Sequence, residues 1–433
     1  MAEMIQLDHP GSDVADAEAF LLEALQILLD EGVRKGTDAT QKVCEWKEPE
    51  ELRELLGLEL RDHGESRQSL LRRCRLVLRY SVKTGHPRFF NQLFSGLDLF
   101  ALTGRFITET LNTSQATYEI APVFVLMEEV LLAKLREMVG WSDGDGIFAP
   151  GGRWSPRSWR RRSRGRKPSG TTVLGAFDPL GAIADICQRH NLWLHVDAAW
   201  GGSALLSGKH RHLLDGIERA DSVAWNPHKM LTVGQQCSAF LLRDSSGLLQ
   251  RCHGTGATYL FQRDKFYDVT YDTGDKTPQC GRRVDCLKLW LLWKAIGTQG
   301  LARRVERAFA FTRYLAEEMK RRDGFRLVLE PEFINLCFWF VPPSLRGRED
   351  DPQYWSKLGK VAPVIKERMM KKGSMLVGYQ PHGPHVNFFR QVVTNPVVTR
   401  ADLDFFLDEI ERLGEDLGGT PHPPPHPEPS SDP

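Results

Sequence analysis

Net charge is nearly absent: 57 lysines and arginines stand against 56 aspartates and glutamates. That balance gives no general attraction for nucleic acid or for an anionic membrane surface, so neither is expected as a partner. No apolar stretch is long enough to cross a bilayer. Residues Met1 to Gln6 lack the basic-then-apolar pattern of a secretory leader, and a cytoplasmic location is expected. The eight cysteines include no Cys-x-x-Cys pair and no spaced framework, which favours reduced thiols over a disulfide scaffold. Cys187, His190 and His195 lie close together, but their spacing fits no zinc pattern and His195 belongs to an apolar run; no metal is expected. Gly254-Thr255-Gly256 lacks the third glycine and the acidic residue of a dinucleotide fingerprint. A Gly-x-Ser-x-Gly elbow and a phosphate-cradling Gly-Lys-Ser/Thr loop are also missing.

What remains is a chain of 433 residues, 41% hydrophobic, enough for one large core and a second, smaller one. Phe20, Leu21, Leu25, Leu28 and Leu29 recur at helical spacing and open an N-terminal helical segment. Further helices are predicted within 51–82 and over 97–112, 121–139, 178–189, 285–296 and 301–322. The run from His86 to Gly96 reads as a loop. Strands are predicted at Thr172-Val173-Leu174, at Leu192 to Val196 and at Ser222 to Trp225. A C-terminal unit follows, with strands at 325–330, 334–341 and 385–392 and helices at 354–371 and 400–416. The boundaries drawn are 1–95 for the helical segment, 96–310 for a large domain, 311–417 for a small α/β domain and 418–433 for a proline-rich tail.

The chemistry concentrates at two strand ends. Leu192 to Val196 is an apolar run suited to a strand buried on both faces, and Asp197 closes it. Ser222 to Trp225 ends in Asn226-Pro227, which stops the ladder and delivers Lys229 to the same edge. In open α/β sheets that edge is where ligands bind. A carboxylate there can keep a ring nitrogen protonated, and a partly desolvated lysine can offer a neutral amine to an aldehyde. An acid and an amine so placed suit pyridoxal phosphate (PLP) chemistry.

Four longer words sharpen this: Ser169 to Pro179, His195 to Gly202, Asn226 to Lys229, and Asn387-Phe388-Phe389-Arg390. Together they resemble the group II PLP-dependent amino-acid decarboxylases over residues 15–152 and 169–417. The resemblance implies an α/β fold of the aspartate aminotransferase-like fold type I, a mostly parallel sheet with helices on both faces, and a homodimer. It implies that Lys229 bonds the cofactor, that Asp197 pairs with the pyridine nitrogen, and that Ala199 packs on the ring. Thr171, Asn226, His228, Gly151 and Gly152 become cofactor contacts. Tyr267, in the stretch Tyr259 to Asp268, matches the proton donor of a mobile catalytic loop, and Arg390 matches the grip on the substrate's distal acid. Gln92 and Phe94, with Asn112-Thr113-Ser114-Gln115, follow the branch acting on cysteine sulfinate, although Ala116 stands where an aromatic residue is expected. The implied reaction is decarboxylation of a small acidic amino acid, 3-sulfinoalanine to hypotaurine, with aspartate and glutamate as alternatives.

Two stretches depart from the family. Arg153 to Pro168 holds seven arginines and one lysine where the family continues through several helices and strands. Such a block is predicted to stay solvated and to form no core strand. The large domain is therefore expected to be incomplete, lacking a ring-stacking histidine and part of the phosphate cradle. A catalytically impaired isoform that only pairs with full-length subunits is the alternative reading. The tail after Leu417 has prolines too frequent for helix or ladder.

Overall fold

The computed structural model describes residues 11–149, 165–254 and 256–417. In chain order the helices are α1 (Gly11–Ile27), α2 (Pro49–Leu56), α3 (Arg67–Tyr80), α4 (Leu99–Leu111), α5 (Pro122–Val139), α6 (Leu180–Arg189), α7 (Leu248–His253), α8 (Cys286–Arg321), α9 (Tyr354–Leu358), α10 (Val361–Lys372) and α11 (Arg400–Gly414). The strands are β1 (Phe89–Phe90), β2 (Asp145–Phe148), β3 (Gly165–Pro168), β4 (Leu194–Asp197), β5 (Ser222–Trp225), β6 (Ala239–Leu242), β7 (Phe325–Leu327), β8 (Asn335–Phe340), β9 (Leu376–His382) and β10 (His385–Val392).

Local chemistry sets several of these bounds. The Asp98 carboxylate accepts the Ala101 N–H and starts α4; Thr399 and Asp402 form a reciprocal capping box that starts α11. Pro122 enters the first turn of α5, where its missing N–H costs nothing, and Gly140 ends that helix with φ of 102°. The two long helices expected over 285–296 and 301–322 are both present within the span of α8, separated by a kink at Gly297, whose φ of 65° and ψ of 175° leave the helical region.

Among the described residues, ten strands divide into two sheets of five. The first has the order β2-β6-β5-β4-β3. β3, β4 and β5 run parallel, whereas β6 is antiparallel to both β5 and β2. The sheet is thus mixed, and the expectation of a mostly parallel one is corrected. Alternation along β6 shows how its faces are covered: Ala239 and Leu241 join the large cluster with Leu131 and Leu135 of α5, Ala184 of α6 and Leu289 of α8, while Phe240 and Leu242 pack with Leu249 of α7. Helices therefore lie on both faces.

Two further corrections concern the start of this sheet. The predicted Thr172-Val173-Leu174 strand is a turn, closed by Gly175 N–H donating to the Thr171 oxygen at 3.0 Å. Val173 and Leu174 spend their apolar surface on the other cluster instead. The strand beside β4 is β3, so the end of the basic block does join a sheet. An edge strand pairs through its main chain on one side only and needs no apolar periodicity; Pro168 is tolerated there because an edge can spare its N–H. Residues 153–164 lie outside the described residues, as does the tail from 418.

The second sheet has the order β1-β9-β10-β8-β7. Strand β8 is buried along its whole length, and its core includes Phe338, Phe388, Phe389, Phe406 and Ile410. The expected loop at 86–96 contributes β1, parallel to β9.

Candidate active site

The register of the first sheet fixes the ends of its strands. Pro168 lies opposite Asp197, Asp197 opposite Ala224, and Trp225 opposite Ala239. The carboxyl ends of β3, β4 and β5 therefore share one rim. Ser169, just beyond β3, donates its N–H to the Asp197 main-chain oxygen at 3.0 Å, and Gly201 donates back to the Ser169 oxygen at 3.1 Å. An added Cβ at Gly201 would lie 2.5 Å from that oxygen, so only glycine permits this closeness.

Lys229 follows β5 on this rim. Burial pulls its ammonium below the ordinary lysine range; Asp197 opposes that shift and Arg390 reinforces it. The three charges thus lie in one electrostatic neighbourhood. The Asp197 side chain accepts the Ala199 N–H at 3.3 Å, and Ala199 is buried. Asn226 is buried too, and its side-chain oxygen has no hydrogen-bond partner among the described residues; the same holds for the Ser169 hydroxyl. His228 is anchored away from solvent. Its Nδ1 lies 2.7 Å from the Cys237 main-chain oxygen, to which the Nδ1–H tautomer donates, and burial pushes its pKa down to about 4.

Arg390 reaches the rim from β10 of the second sheet. It is only 7% exposed. Nη1 donates to the Thr172 oxygen at 2.9 Å and Nη2 to the Asn91 oxygen at 3.1 Å, while Nε has no partner among the described residues. Burial moves its guanidinium below the ordinary range, with Cys337 opposing. Thr171, whose hydroxyl accepts the Ala176 N–H at 3.0 Å, lies between Gly170 of the Asp197-bound turn and Arg390-bound Thr172. Gln92 is exposed and Phe94 half-buried; both follow Asn91, so their loop begins on the arginine.

Tyr267 is held elsewhere. Its hydroxyl donates to Asp272 at 2.9 Å and accepts the Glu119 N–H at 3.3 Å, and the same Asp272 takes Lys265 at 2.9 Å. Among the described residues none of its hydrogen bonds or ring contacts is to Lys229, Asp197 or Arg390. Gly151 and Gly152 lie outside the described residues.

Three contributors were missed from the sequence. Asn91 supplies a main-chain acceptor to Arg390, Lys366 donates to Asn91, and Asn335 joins the two sheets. Asn335 had a readable signal, a single amide in the apolar run Phe333 to Phe340.

Among the described residues, those on this rim fit a pyridoxal group. They supply a desolvated amine, an acid beside it, a small buried alanine and two orphaned buried polar groups.

Comparison with known proteins agrees. The family model described as the pyridoxal-dependent decarboxylase conserved domain matches residues 49–155 and 167–341. The chain is 58% identical to the cysteine sulfinic acid decarboxylase of Homo sapiens over 493 residues, covering 96% of this chain and all of that one. It is 52% identical to the acidic amino acid decarboxylase GADL1 of Bos taurus, covering 96% and 95% of the two chains. The crystal structure of mouse CSAD in apo form superposes with a TM-score of 0.88 at 56% identity, covering 93% of this chain and 100% of that one. The Oryza sativa TDC solved with PLP and tryptamine shares the fold alone, with a TM-score of 0.78 at 20% identity over 95% and 99% of the chains. With the family model matched over more than half of the chain and relatives 52% and 58% identical along nearly all of it, the chain belongs to the pyridoxal-dependent decarboxylase family.

Proposed function

We propose that the chain is built to decarboxylate a small acidic amino acid, 3-sulfinoalanine before aspartate or glutamate. One observation carries the acidic preference: Arg390 is a buried cation whose hydrogen bonds go only to main-chain oxygens, with no carboxylate partner among the described residues. A buried charge without a counter-ion is costly, and an anionic ligand group removes that cost. A guanidinium fork suits a sulfinate or carboxylate. The cysteine sulfinate relatives support the finer choice.

Lys229 would hold the cofactor covalently, Asp197 would keep its ring nitrogen protonated, and Ala199, Asn226, His228 and Thr171 would line it. When bound, pyridoxal phosphate supplies a sink for the electron pair left as carbon dioxide departs. Arg390 orients the substrate by its distal acid and leaves the α-carboxylate less well paired. Tyr267 serves as proton donor once its loop releases Asp272. Turnover of sulfinoalanine, aspartate and glutamate by one preparation tests the assignment; preference for glutamate refutes it.

A second reading rests on a specific interruption. The family match breaks between 155 and 167, and the relatives align over 493 residues against a chain of 433. The resemblance assigns the ring-stacking histidine and part of the phosphate cradle to that interval. On this reading the chain binds the cofactor weakly and acts as a partner for intact subunits. Purified chain with a full-occupancy cofactor absorbance band excludes it; mixed oligomers of reduced turnover support it.

We infer a homodimer on the first reading and a mixed dimer on the second. Leu21 and Leu22 of α1, Phe100 and Ile107 of α4, and Val123 and Val130 of α5 are exposed apolar residues, more than an isolated surface usually carries. The domain bounds 96–310 and 311–417 are proposed around the two sheets, with β1 joining the second sheet from the segment 1–95. No described helix is long and apolar enough to cross a membrane, and a cytoplasmic location fits a sequence with no disulfide framework.

A further inference from the structure

Behind Arg390 lies a second, half-buried cation that the decarboxylation scheme leaves unused. Gly378 of β9 pairs with Arg390 of β10. A Cβ added to Gly378 would stand 3.2 Å from the Asn91 main-chain oxygen and 3.5 Å from its side-chain oxygen, so Asn91 is seated on the sheet where a side chain is missing. Both Asn91 oxygens are used. The main-chain oxygen accepts Arg390 Nη2 at 3.1 Å, and Oδ1 accepts Lys366 Nζ at 2.8 Å.

Lys366 comes from α10, whose Ile365 and Met369 are fixed in the second core. It has no acidic partner among the described residues. Burial pulls its ammonium down to about 8, with Cys44 opposing. A half-buried lysine held against one neutral amide is a poor device for stability alone. It is a good device for fixing that amide. The amide belongs to the residue that opens the Asn91 to Phe94 loop.

We propose that Lys366 is a positioning residue for recognition of the distal acid: through Asn91 it clamps the Asn91 to Phe94 loop onto Arg390 and so sets the direction in which the guanidinium faces its ligand. This rests on the reading that Arg390 grips that acid.

The test uses binding, because it does not require turnover. Succinate, which carries a distal acid but no amine, is titrated calorimetrically into the full chain, with propionate as the ligand lacking that acid. Lys366→Met is expected to weaken succinate about tenfold and to leave propionate unchanged. Lys366→Arg restores most of the loss, because it returns a donor to Asn91. Asn91→Ala repeats the loss, and the double variant adds little to either single one. If Lys366→Met fails to fold, Gly378→Ala, which crowds Asn91, is expected to give the same selective loss. Unchanged succinate affinity in Lys366→Met, or equal weakening of succinate and propionate, overturns the proposal. Failure of the underlying reading looks different: Arg390→Met then binds succinate as the parent chain does.

Discussion

The indole Nε1 of Trp200 donates a 2.7 Å hydrogen bond to the side-chain oxygen of Asn335, joining the rim of the first sheet to β8 of the second. The Asn335 amide nitrogen is spent as well, on the Thr172 and Val173 oxygens at 3.0 Å each. One amide thereby holds the turn that carries Thr171 and meets Arg390. Asn335→Ala orphans a buried indole N–H and takes one donor from each of two main-chain oxygens, of which Thr172 keeps Arg390 and Val173 keeps the Cys337 thiol. A loss of about 2–4 kcal/mol is expected from the price of unmade buried hydrogen bonds, read as a lower denaturant midpoint. Cofactor retention should fall with it.

Lys229→Arg keeps the positive charge but removes the primary amine. Reduction with borohydride should then leave no covalent cofactor adduct by mass, and turnover should drop by about a thousandfold or more, on the scale of losing a covalent catalyst. In the parent chain the lowered proton affinity of Lys229 places adduct formation at lower pH than an ordinary lysine would allow.

Arg390→Lys tests the fork rather than the charge. A lysine cannot give two parallel hydrogen bonds to a sulfinate or carboxylate. Loss of one charge-assisted bond is about 1.5–3 kcal/mol, so KM should rise roughly ten- to a hundredfold with a smaller change in kcat. Steady-state kinetics on an active preparation separates the two constants.

His228 makes a pH prediction whose sign follows from its burial. Its folded pKa, about 4, lies below the unfolded value of 6.5. Between those values the unfolded chain binds the proton that the folded chain refuses, so stability rises with pH through this window and is lost as pH falls from 6.5 towards 4. The loss amounts to about 3 kcal/mol at 1.4 kcal/mol per unit. Denaturant melts across this range should show the slope, and His228→Asn should flatten it.

Thiol chemistry offers an inexpensive check on packing. Cys280 is exposed, whereas Cys187, Cys237 and Cys286 are buried, and burial raises the Cys237 and Cys286 thiols well above their ordinary range. In the native chain an alkylating reagent should label Cys280 first and leave Cys237 and Cys286 unmodified until denaturant is added. Peptide mass mapping reads the order.

The acid and the amine were legible because they end apolar runs: Asp197 after Leu194 to Val196, Lys229 after the Asn226-Pro227 stop. Sequence stated the polarity of the site, and the fold placed it. Thr172 to Leu174 misled for a physical reason, since two β-branched residues followed by a leucine satisfy a strand pattern and a packed turn equally well. β3 was illegible for the converse reason: pairing at an edge is a main-chain affair, and Arg166 and Lys167 give no apolar signal. β9 was missed because Gly378 and Pro381 punctuate it like a loop. Lys366 sits among charged neighbours in Lys366-Glu367-Arg368 and could not be told from them until α10 was packed against Asn91.

The parallel strand β3 also bears on how this chain behaves in solution. A bare β4 would offer a row of unpaired amides to any passing extended peptide, the usual seed of filament growth. Four residues ending in Pro168 occupy that row and present, in turn, a short rim with one donor missing. The arginine-rich replacement thus finishes the sheet with a blunt border, and a chain shortened in its interior is expected to remain monodisperse rather than polymerise.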